Sequence, residues 1–129
     1  MPRTARDLTP EELGSYRPWL RIAERSKDPA RVERRARAWD AARAGAALLK
    51  ERYGARRVAA FGSLLSAEAF TPWSDVDLAV SGLDAGLYYE AAGAALDLGA
   101  SLGVKIDVID LDSCPSELRR AIETRGMDL

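Results

Sequence analysis

Three aspartates stand in or beside short apolar runs of this chain, where a charge needs compensation. Asp75 and Asp77 open the run 76–80, and Asp107 lies inside the run 104–109. Carboxylates in short buried strands cost free energy unless something neutralises them, and a divalent cation is the usual partner. The pattern indicates a metal-dependent phosphate-transfer site with Asp75, Asp77 and Asp107 as its carboxylates.

The spacing of these aspartates favours a shared cation. Asp75 and Asp77 are two residues apart on a predicted strand, so their side chains leave the same face. Unpaired carboxylates so placed repel each other, which favours cation binding. Two structural alternatives stay open: Asp75 as a turn residue with a capping role, and Asp107 as half of a buried ion pair with an arginine. Asp110 and Asp112 are better explained as loop or capping residues.

Gly62 and Ser63 follow the apolar run 58–61, where a predicted strand hands over to a helix. Glycine lets the backbone approach a phosphate closely, and N–H groups at a helix start favour negative charge. The Ser63 hydroxyl adds a donor. A plain turn is the alternative, but the order of Gly-Ser, paired aspartates and third aspartate is more specific than its parts.

The composition excludes several classes of protein. The 129 residues fit one domain, and they include no histidine and one cysteine. His-based catalysis, His-ligated zinc and an internal disulfide are therefore excluded. Without an apolar stretch of roughly 20 residues or a signal peptide at the N-terminus, we expect a cytoplasmic protein with no membrane association.

Charge divides unevenly along the chain. Residues 1–57 carry 15 Lys and Arg against 8 Asp and Glu, whereas residues 58–129 carry 4 against 12. The second predicted helix holds a dense basic patch, formed by Arg31, Arg34, Arg35 and Arg37. The patch is interpreted either as a solvated helix face or as a docking surface for an acidic protein or RNA.

Helices and strands alternate in the prediction. Helices are expected from Thr9 to about Arg25, over 30–52 with a Gly54 cap, over 85–102, and from Ser113 or Cys114 to Arg125, with a short one over 63–69. Strands are expected over 57–61, 76–80 and 104–111. The second helix is expected to bury one narrow apolar face, made of Val32, Ala36, Trp39, Ala42, Ala46 and Leu49. Trp73, in a turn over 71–74, is expected to pack against the sheet, with stacking on a nucleobase as the alternative.

Three motifs together resemble a known family. The series V-A-A-F-G-S, P-W-S-D-V-D-L-A-V and V-K-I-D-V-I-D-L is similar to the minimal nucleotidyltransferases of the polymerase beta superfamily. It looks especially like the small bacterial antitoxins that pair with a HEPN-domain ribonuclease toxin. The resemblance implies an α+β nucleotidyltransferase fold, with a short mixed sheet of three or four strands packed by helices. It covers residues 30–129, the nucleotidyltransferase domain, and leaves residues 1–29 as a helical N-terminal extension.

The family's chemistry is implied residue by residue. Gly62 and Ser63 would hold the triphosphate, and Asp75, Asp77 and Asp107 would be the catalytic residues and the ligands of two Mg²⁺ ions. The resemblance implies transfer of AMP from Mg-ATP to a hydroxyl, that of a tyrosine, on a partner HEPN toxin. It implies a nucleoside triphosphate and that toxin as partners and no direct binding of nucleic acid, and it leaves self-association open.

One departure from the family bears on activity. Many relatives follow Gly-Ser with Ala-Arg-Gly, whereas this chain has the stretch 64–67, Leu-Leu-Ser-Ala. The missing arginine is a plausible triphosphate contact, for which Lys105 and Arg56 are weak substitutes. Two alternative functions therefore stay open. One is a catalytically weak or inactive module that neutralises a toxin by contact, and the other is a nucleotidyltransferase of small molecules, for which the chain looks short.

Overall fold

The computed structural model describes residues 28–129. Its first element is helix α1 (Pro29–Glu51). The Asp28 carboxylate accepts a hydrogen bond from the Ala30 N–H at 3.1 Å, and Pro29 occupies the first helical position. After the helix, Gly54 takes a left-handed conformation with φ of 74° and its N–H donates to the Lys50 carbonyl. Both predicted helix boundaries are confirmed. The helix predicted from Thr9 to Arg25 lies outside the described residues.

The buried face of α1 differs from the predicted one in its first half. Ala42, Ala46 and Leu49 are buried as expected, whereas Val32 is 52% exposed and Ala36 is also exposed. The sheet is reached mainly by the second half of the helix, where Ala38, Ala41 and Gly45 complete the face. Small side chains allow close approach there, since a Cβ at Gly45 would lie 3.1 Å from the Leu78 side chain.

Four strands form one mixed sheet in the order β3-β2-β1-β4. Strand β1 (Arg57–Phe61) pairs antiparallel with β2 (Val76–Ser81), which pairs parallel with β3 (Ile106–Asp110). The short β4 (Met127–Asp128) adds antiparallel to the other edge of β1. The α+β class and the mixed sheet are confirmed, and the three strands predicted individually are all present.

Two further helices complete the described part. After a 3₁₀ turn, Ala85–Leu87, comes α2 (Tyr88–Ser101), and after β3 comes α3 (Ser116–Arg125). The short helix predicted over 63–69 is instead a single 3₁₀ turn, Gly62–Leu65. No helix within residues 28–129 is both long enough and apolar enough to cross a membrane.

The two faces of the sheet are covered unequally. Helices α1 and α2 bury one face, and its strand residues belong to the main core: Val58, Ala60, Val76, Leu78, Val80, Ile106 and Val108. The opposite face carries a small cluster around Ile122 of α3: Ala59, Phe61, Ala79, Ile109, Leu111 and Cys114. We call these the covered face and the open face. Because strand side chains alternate, odd-numbered residues of β2 and β3 point to the open face.

Candidate active site

Strand pairing gathers the predicted site residues at one end of the sheet. Asp77 of β2 is the register partner of Asp107 in β3, and on its other side Asp77 is paired with Phe61. The Gly62-Ser63 turn follows Phe61 directly, and Asp75 precedes β2 by one residue. Residues far apart in the chain are therefore brought together by the register of three neighbouring strands.

Asp77 and Asp107 lie on the open face, Asp75 lies just before β2, and all three carboxylates are only partly buried. Asp77 and Asp107 alternate with the small cluster residues Ala79 and Ile109, so they project away from α1 and α2. The side chains of Asp75 and Asp107 are 35% and 45% exposed. The expectation of carboxylates inside buried strands is corrected, because among the described residues only α3 covers this face, and it packs mainly against β1 and leaves Asp77 and Asp107 partly open to water.

Lys105 supplies positive charge between two of the aspartates. Its Nζ lies 3.9 Å from Oδ2 of Asp75 and 3.7 Å from Oδ1 of Asp107. The structural alternative for Asp107, a buried ion pair with an arginine, is therefore wrong, since its partner is a lysine and both side chains of the pair are exposed. Arg56, the other weak candidate, is at the opposite end of the sheet, where its side chain packs against Gly82.

The negative charge of the three carboxylates is larger than the single positive charge of Lys105 can neutralise. Burial, followed by the charges of Asp107 and Asp75, raises the pKa of Asp77 to about 6, against the opposing effect of Lys105. Burial, together with a hydrogen bond to Asp107 and the charge of that group, also raises the pKa of Asp75. The site therefore disfavours its own ionised form and gains from additional positive charge.

The donor set fits a hard divalent cation. All three groups are carboxylates, the ligands that Mg²⁺ prefers, and the pKa values of Asp75 and Asp77 are raised first by burial and then by the neighbouring aspartates. Within residues 28–129, no three His, Cys, Asp or Glu side chains already surround a single point in the manner of a metal site. Cation binding thus requires these carboxylates to turn toward a common point.

Gly62 is required by both its conformation and its neighbour. Its φ is 78°, and a Cβ at this position would lie 2.6 Å from Oδ2 of Asp77. The glycine thus lets the turn lie directly against a site carboxylate. Ser63 follows within a four-residue 3₁₀ turn, so the N–H groups expected at the start of a longer helix belong to a single turn.

Two arginines of the predicted basic patch hold the loop that leads into the site. Arg35 donates from Nε and Nη2 to the Leu64 carbonyl at 3.0 and 2.8 Å, and Arg31, which is buried, donates to the Phe70 carbonyl. Neither predicted role of the patch, a solvated face or a docking surface, applies to these two. Phe70, which no sequence signal singled out, is fully buried and anchors the same loop.

The turn before Asp75 leaves Trp73 in solvent. Thr71 and Ser74 close this turn, with Thr71 N–H donating to Ser74 Oγ at 2.7 Å and Ser74 N–H donating to the Thr71 carbonyl at 3.0 Å. Trp73 is 87% exposed, so the prediction that it packs the turn against the sheet is wrong. Phe70, three residues earlier, occupies the apolar space instead.

The two remaining aspartates have the loop roles predicted for them. Asp110 accepts hydrogen bonds from the Asp112 N–H and the Ser113 hydroxyl, both at 3.0 Å. Asp112 accepts from the Gly82 N–H and the Ser81 hydroxyl, both at 2.9 Å, and these bonds lower its pKa. Both groups lie at the end of β2 away from the candidate site.

Comparison with known proteins supports the fold. No protein-family model and no curated protein matches the chain. Among solved structures, it is similar to a chain of the toxin–antitoxin complex MntA–HepT carrying two Asp-to-Glu substitutions, with 25% identity and a TM-score of 0.50 over 63% of this chain and 65% of that one. It is also similar to chains of the same complex with one Tyr-to-Ala substitution (29% identity, 64% and 65% covered, TM-score 0.49) and without substitution (26%, 63% and 62%, TM-score 0.45).

The match with the first of these structures establishes the architecture. The four-stranded mixed sheet and the three helices of residues 28–129 have the nucleotidyltransferase fold of that neighbour. This chain spans less than two thirds of the length of the solved chains it matches.

Proposed function

We propose that this protein is a nucleotidyltransferase that transfers AMP from Mg-ATP to a tyrosine hydroxyl of a partner HEPN toxin, and that it acts as the antitoxin. The observation that carries the proposal is the pairing of Asp77 with Asp107, beside Asp75 and against the Gly62 turn. A nucleotidyltransferase fold with three carboxylates at this end of the sheet is suited to hold Mg²⁺ and a triphosphate. Its similarity to chains of a toxin–antitoxin complex supports the proposed partner.

Each site residue has a role in this proposal. Asp75, Asp77 and Asp107 hold the Mg²⁺ ions, and the Gly62-Ser63 turn binds the triphosphate through its N–H groups and the Ser63 hydroxyl. Mg²⁺ would supply Lewis acidity and neutralise phosphate charge. Lys105, which lies within 4 Å of two of the carboxylates, offsets part of their mutual repulsion before the substrate arrives.

The reaction is an in-line displacement. The acceptor oxygen forms a bond to the α-phosphorus of ATP, the bond from that phosphorus to the pyrophosphate oxygen breaks, and the hydroxyl proton passes to the Asp107 carboxylate. Positioning and charge neutralisation supply most of the rate enhancement in such transfers. No histidine is needed in this scheme, which agrees with the composition of the chain.

Calorimetric titration with Mg-ATP tests the nucleotide site. Wild type should bind Mg-ATP, and Asp75→Ala/Asp77→Ala should lose the binding while keeping its fold by circular dichroism. The matched control is Asp40→Ala/Asp97→Ala, which removes two exposed helix carboxylates away from the site. Absence of binding by wild type, or equal binding by both double variants, contradicts the proposal.

A specific observation keeps the non-catalytic module as a second candidate. The stretch 64–67 lacks the arginine that the resemblance places there, and Leu64 is buried with its carbonyl bonded to Arg35. Coexpression with the cognate toxin separates the two functions. In the catalytic case Asp107→Ala abolishes neutralisation, and mass spectrometry finds AMP on a toxin tyrosine only with wild type. A module that acts by contact neutralises equally well with this substitution.

A further inference from the structure

A cavity with mainly positive side chains lies next to the candidate site. It is a cavity of about 350 Å³ between the first half of α1 and the loops that precede β2 and β3. Arg34, Arg37 and Lys105 line it, and Asp75 is its one carboxylate among the described residues. We call it the basic cleft. Because Asp75 and Lys105 also belong to the candidate site, the two features share a wall.

The two arginines of the basic cleft differ from their neighbours on α1. Arg31 and Arg35 donate to backbone carbonyls of the loop 64–70, so their positive charge is committed to holding that loop. Arg34 and Arg37 face the cavity. A guanidinium group that lines a cavity presents a planar set of donors matched to a carboxylate or a phosphate. The basic cleft is therefore built to receive an anionic group.

Trp73 adds an apolar contact at the same place. It lines the basic cleft, is 87% exposed, and sits on a turn held by the Thr71 and Ser74 hydrogen bonds. Those bonds hold the turn that carries Trp73, and a bound partner that covered the exposed indole would bury apolar area. Tryptophan and arginine are the residues most enriched at binding hot spots. The ligand that fits has both an anionic and an apolar part.

We propose that the basic cleft docks a short acidic segment of the acceptor protein, with Arg34 and Arg37 pairing its carboxylates and Trp73 covering an apolar side chain. This inference rests on the proposed function, since the shared wall then places the segment's hydroxyl-bearing neighbour beside Asp75 and Asp107. The cleft thus determines which acceptor is used, whereas the aspartates carry out the transfer.

The surroundings favour an acidic peptide over a nucleic acid. Asp75, Asp77 and Asp107 flank the basic cleft on one side, and residues 58–129 carry 12 Asp and Glu against 4 Lys and Arg. A polyphosphate backbone longer than the cleft would run into this negative field, whose repulsion opposes its binding. A peptide places its charge only where its acidic residues are, so it satisfies the cleft without extending into the carboxylates.

Binding of a defined acidic probe tests the inference on the full chain. The probe is a fluorescein-labelled random copolymer of glutamate and tyrosine, followed by fluorescence anisotropy without nucleotide or metal. Arg34→Glu/Arg37→Glu should weaken binding at least about tenfold, because it turns two paired charges into repelling ones, and Trp73→Ala should weaken it about threefold. The matched control is Arg43→Glu/Arg120→Glu, which makes the same change of net charge at exposed positions outside the cleft. This control should bind the probe only slightly more weakly than wild type does.

Several results would overturn the inference. They are absence of probe binding by wild type, equal losses in the cleft and control variants, and tighter binding of a single-stranded oligoadenylate that is lost in the same cleft variants. A wild-type dimer that Arg34→Glu/Arg37→Glu dissociates in sedimentation would also overturn it, because a second copy would then occupy the cleft. Mg-ATP titration separates this outcome from failure of the proposed function. Probe binding without Mg-ATP binding overturns the proposed function and leaves the basic cleft as a peptide-docking site without an acceptor role. Mg-ATP binding without probe binding overturns the docking inference alone.

Discussion

The covered and open faces of the sheet perform different tasks with the same strands. On the covered face, Leu78 and Ile106 are at most 1% exposed and pack against α1 and α2. On the open face, the positions immediately beside them in the chain are Asp77 and Asp107. Alternation along β2 and β3 thus separates a side that stabilises the fold from a side that holds charge.

The difference between the faces shows how a small domain tolerates clustered carboxylates. Each fully buried aliphatic side chain of the covered face contributes about 2 kcal/mol, whereas the raised pKa values of Asp75 and Asp77 show that the charges opposite cost stability. The open face keeps this cost small, because water reaches the partly exposed carboxylates. The covered face of the sheet therefore provides most of the stability, and the open face carries the charged groups of the candidate site.

The largest expected effect is the loss of apolar volume from the covered face. Leu78→Ala should lower the free energy of unfolding by about 3 kcal/mol, because Leu78 is fully buried between the sheet and α1. Ile109→Ala, on the open face, removes a half-buried side chain and should cost about 1 kcal/mol. Urea denaturation of both variants measures the difference. Equal losses would mean that the open face is as well packed as the covered one.

A second prediction separates backbone strain from site disruption. Gly62→Ala and Gly103→Ala both place a side chain at a φ near 78°, which should cost each variant about 1–2 kcal/mol of stability. Only at Gly62 does the new Cβ meet Asp77, since a Cβ at Gly103 has no neighbour within 4 Å. We expect the two variants to have similar melting temperatures and only Gly62→Ala to lose Mg-ATP binding. Retained binding in that variant would place the nucleotide away from this turn.

The helices and strands of residues 28–129 could be predicted from the sequence because they depend on local signals. The cap at Asp28, the glycine at position 54 and the apolar runs of β1 to β3 act within a few residues, and the helix boundaries agree with them. The five residues proposed for the site were singled out because charge and glycine at strand ends need an explanation, and the strand register brings them to one end of the sheet. The fold class follows from that order of elements and from the family resemblance.

What the sequence could not supply depends on packing at a distance. Arg31 and Arg35 look like surface charges, but they reach carbonyls more than 25 residues away, which no periodicity encodes. The sequence predicts that Trp73 packs the turn against the sheet, because aromatic residues usually pack, but Phe70 is the aromatic residue buried there and Trp73 is exposed. The partial exposure of the carboxylates follows from α3 covering only part of one face. Each of these features depends on contacts between residues that are far apart in the chain or on which side chain fills a given space.

The third prediction concerns the pH dependence of the open face. With its pKa raised to about 6, Asp77 is protonated more readily in the folded state, so its charge reduces stability as pH rises from about 4 to above 6. Asp77→Asn lacks this titration. Without Mg²⁺ it should be more stable than wild type at pH 7.5 by at most about 1 kcal/mol, after allowance for screening by solvent, and equal to it at pH 4.

Thermal melts across this pH range provide the measurement. Asp97→Asn, an exposed position on α2, is the control and should follow wild type at every pH. Addition of Mg²⁺ should raise the melting temperature of wild type more than that of Asp77→Asn, because the metal neutralises the charge that the substitution removes. A gain in stability that persists at pH 4 would show that the effect comes from packing and not from ionisation.

The smallest predicted effect tests whether the Lys105 ammonium group competes with Mg²⁺ for the carboxylates or helps them to bind it. The Lys105 ammonium group lies within 4 Å of Asp75 and Asp107, so it occupies part of the space that a metal ion would use. Lys105→Met should strengthen Mg²⁺ binding by about threefold, since removing a nearby positive charge deepens the negative potential at the carboxylates. Lys105→Arg keeps the charge and should bind Mg²⁺ as wild type does. Calorimetric titration with Mg²⁺ alone measures this. Weaker Mg²⁺ binding by Lys105→Met would mean that the lysine holds the two carboxylates in position for the metal. The site on the open face would then depend on an ion pair for its geometry, as the covered face depends on its aliphatic side chains for its packing.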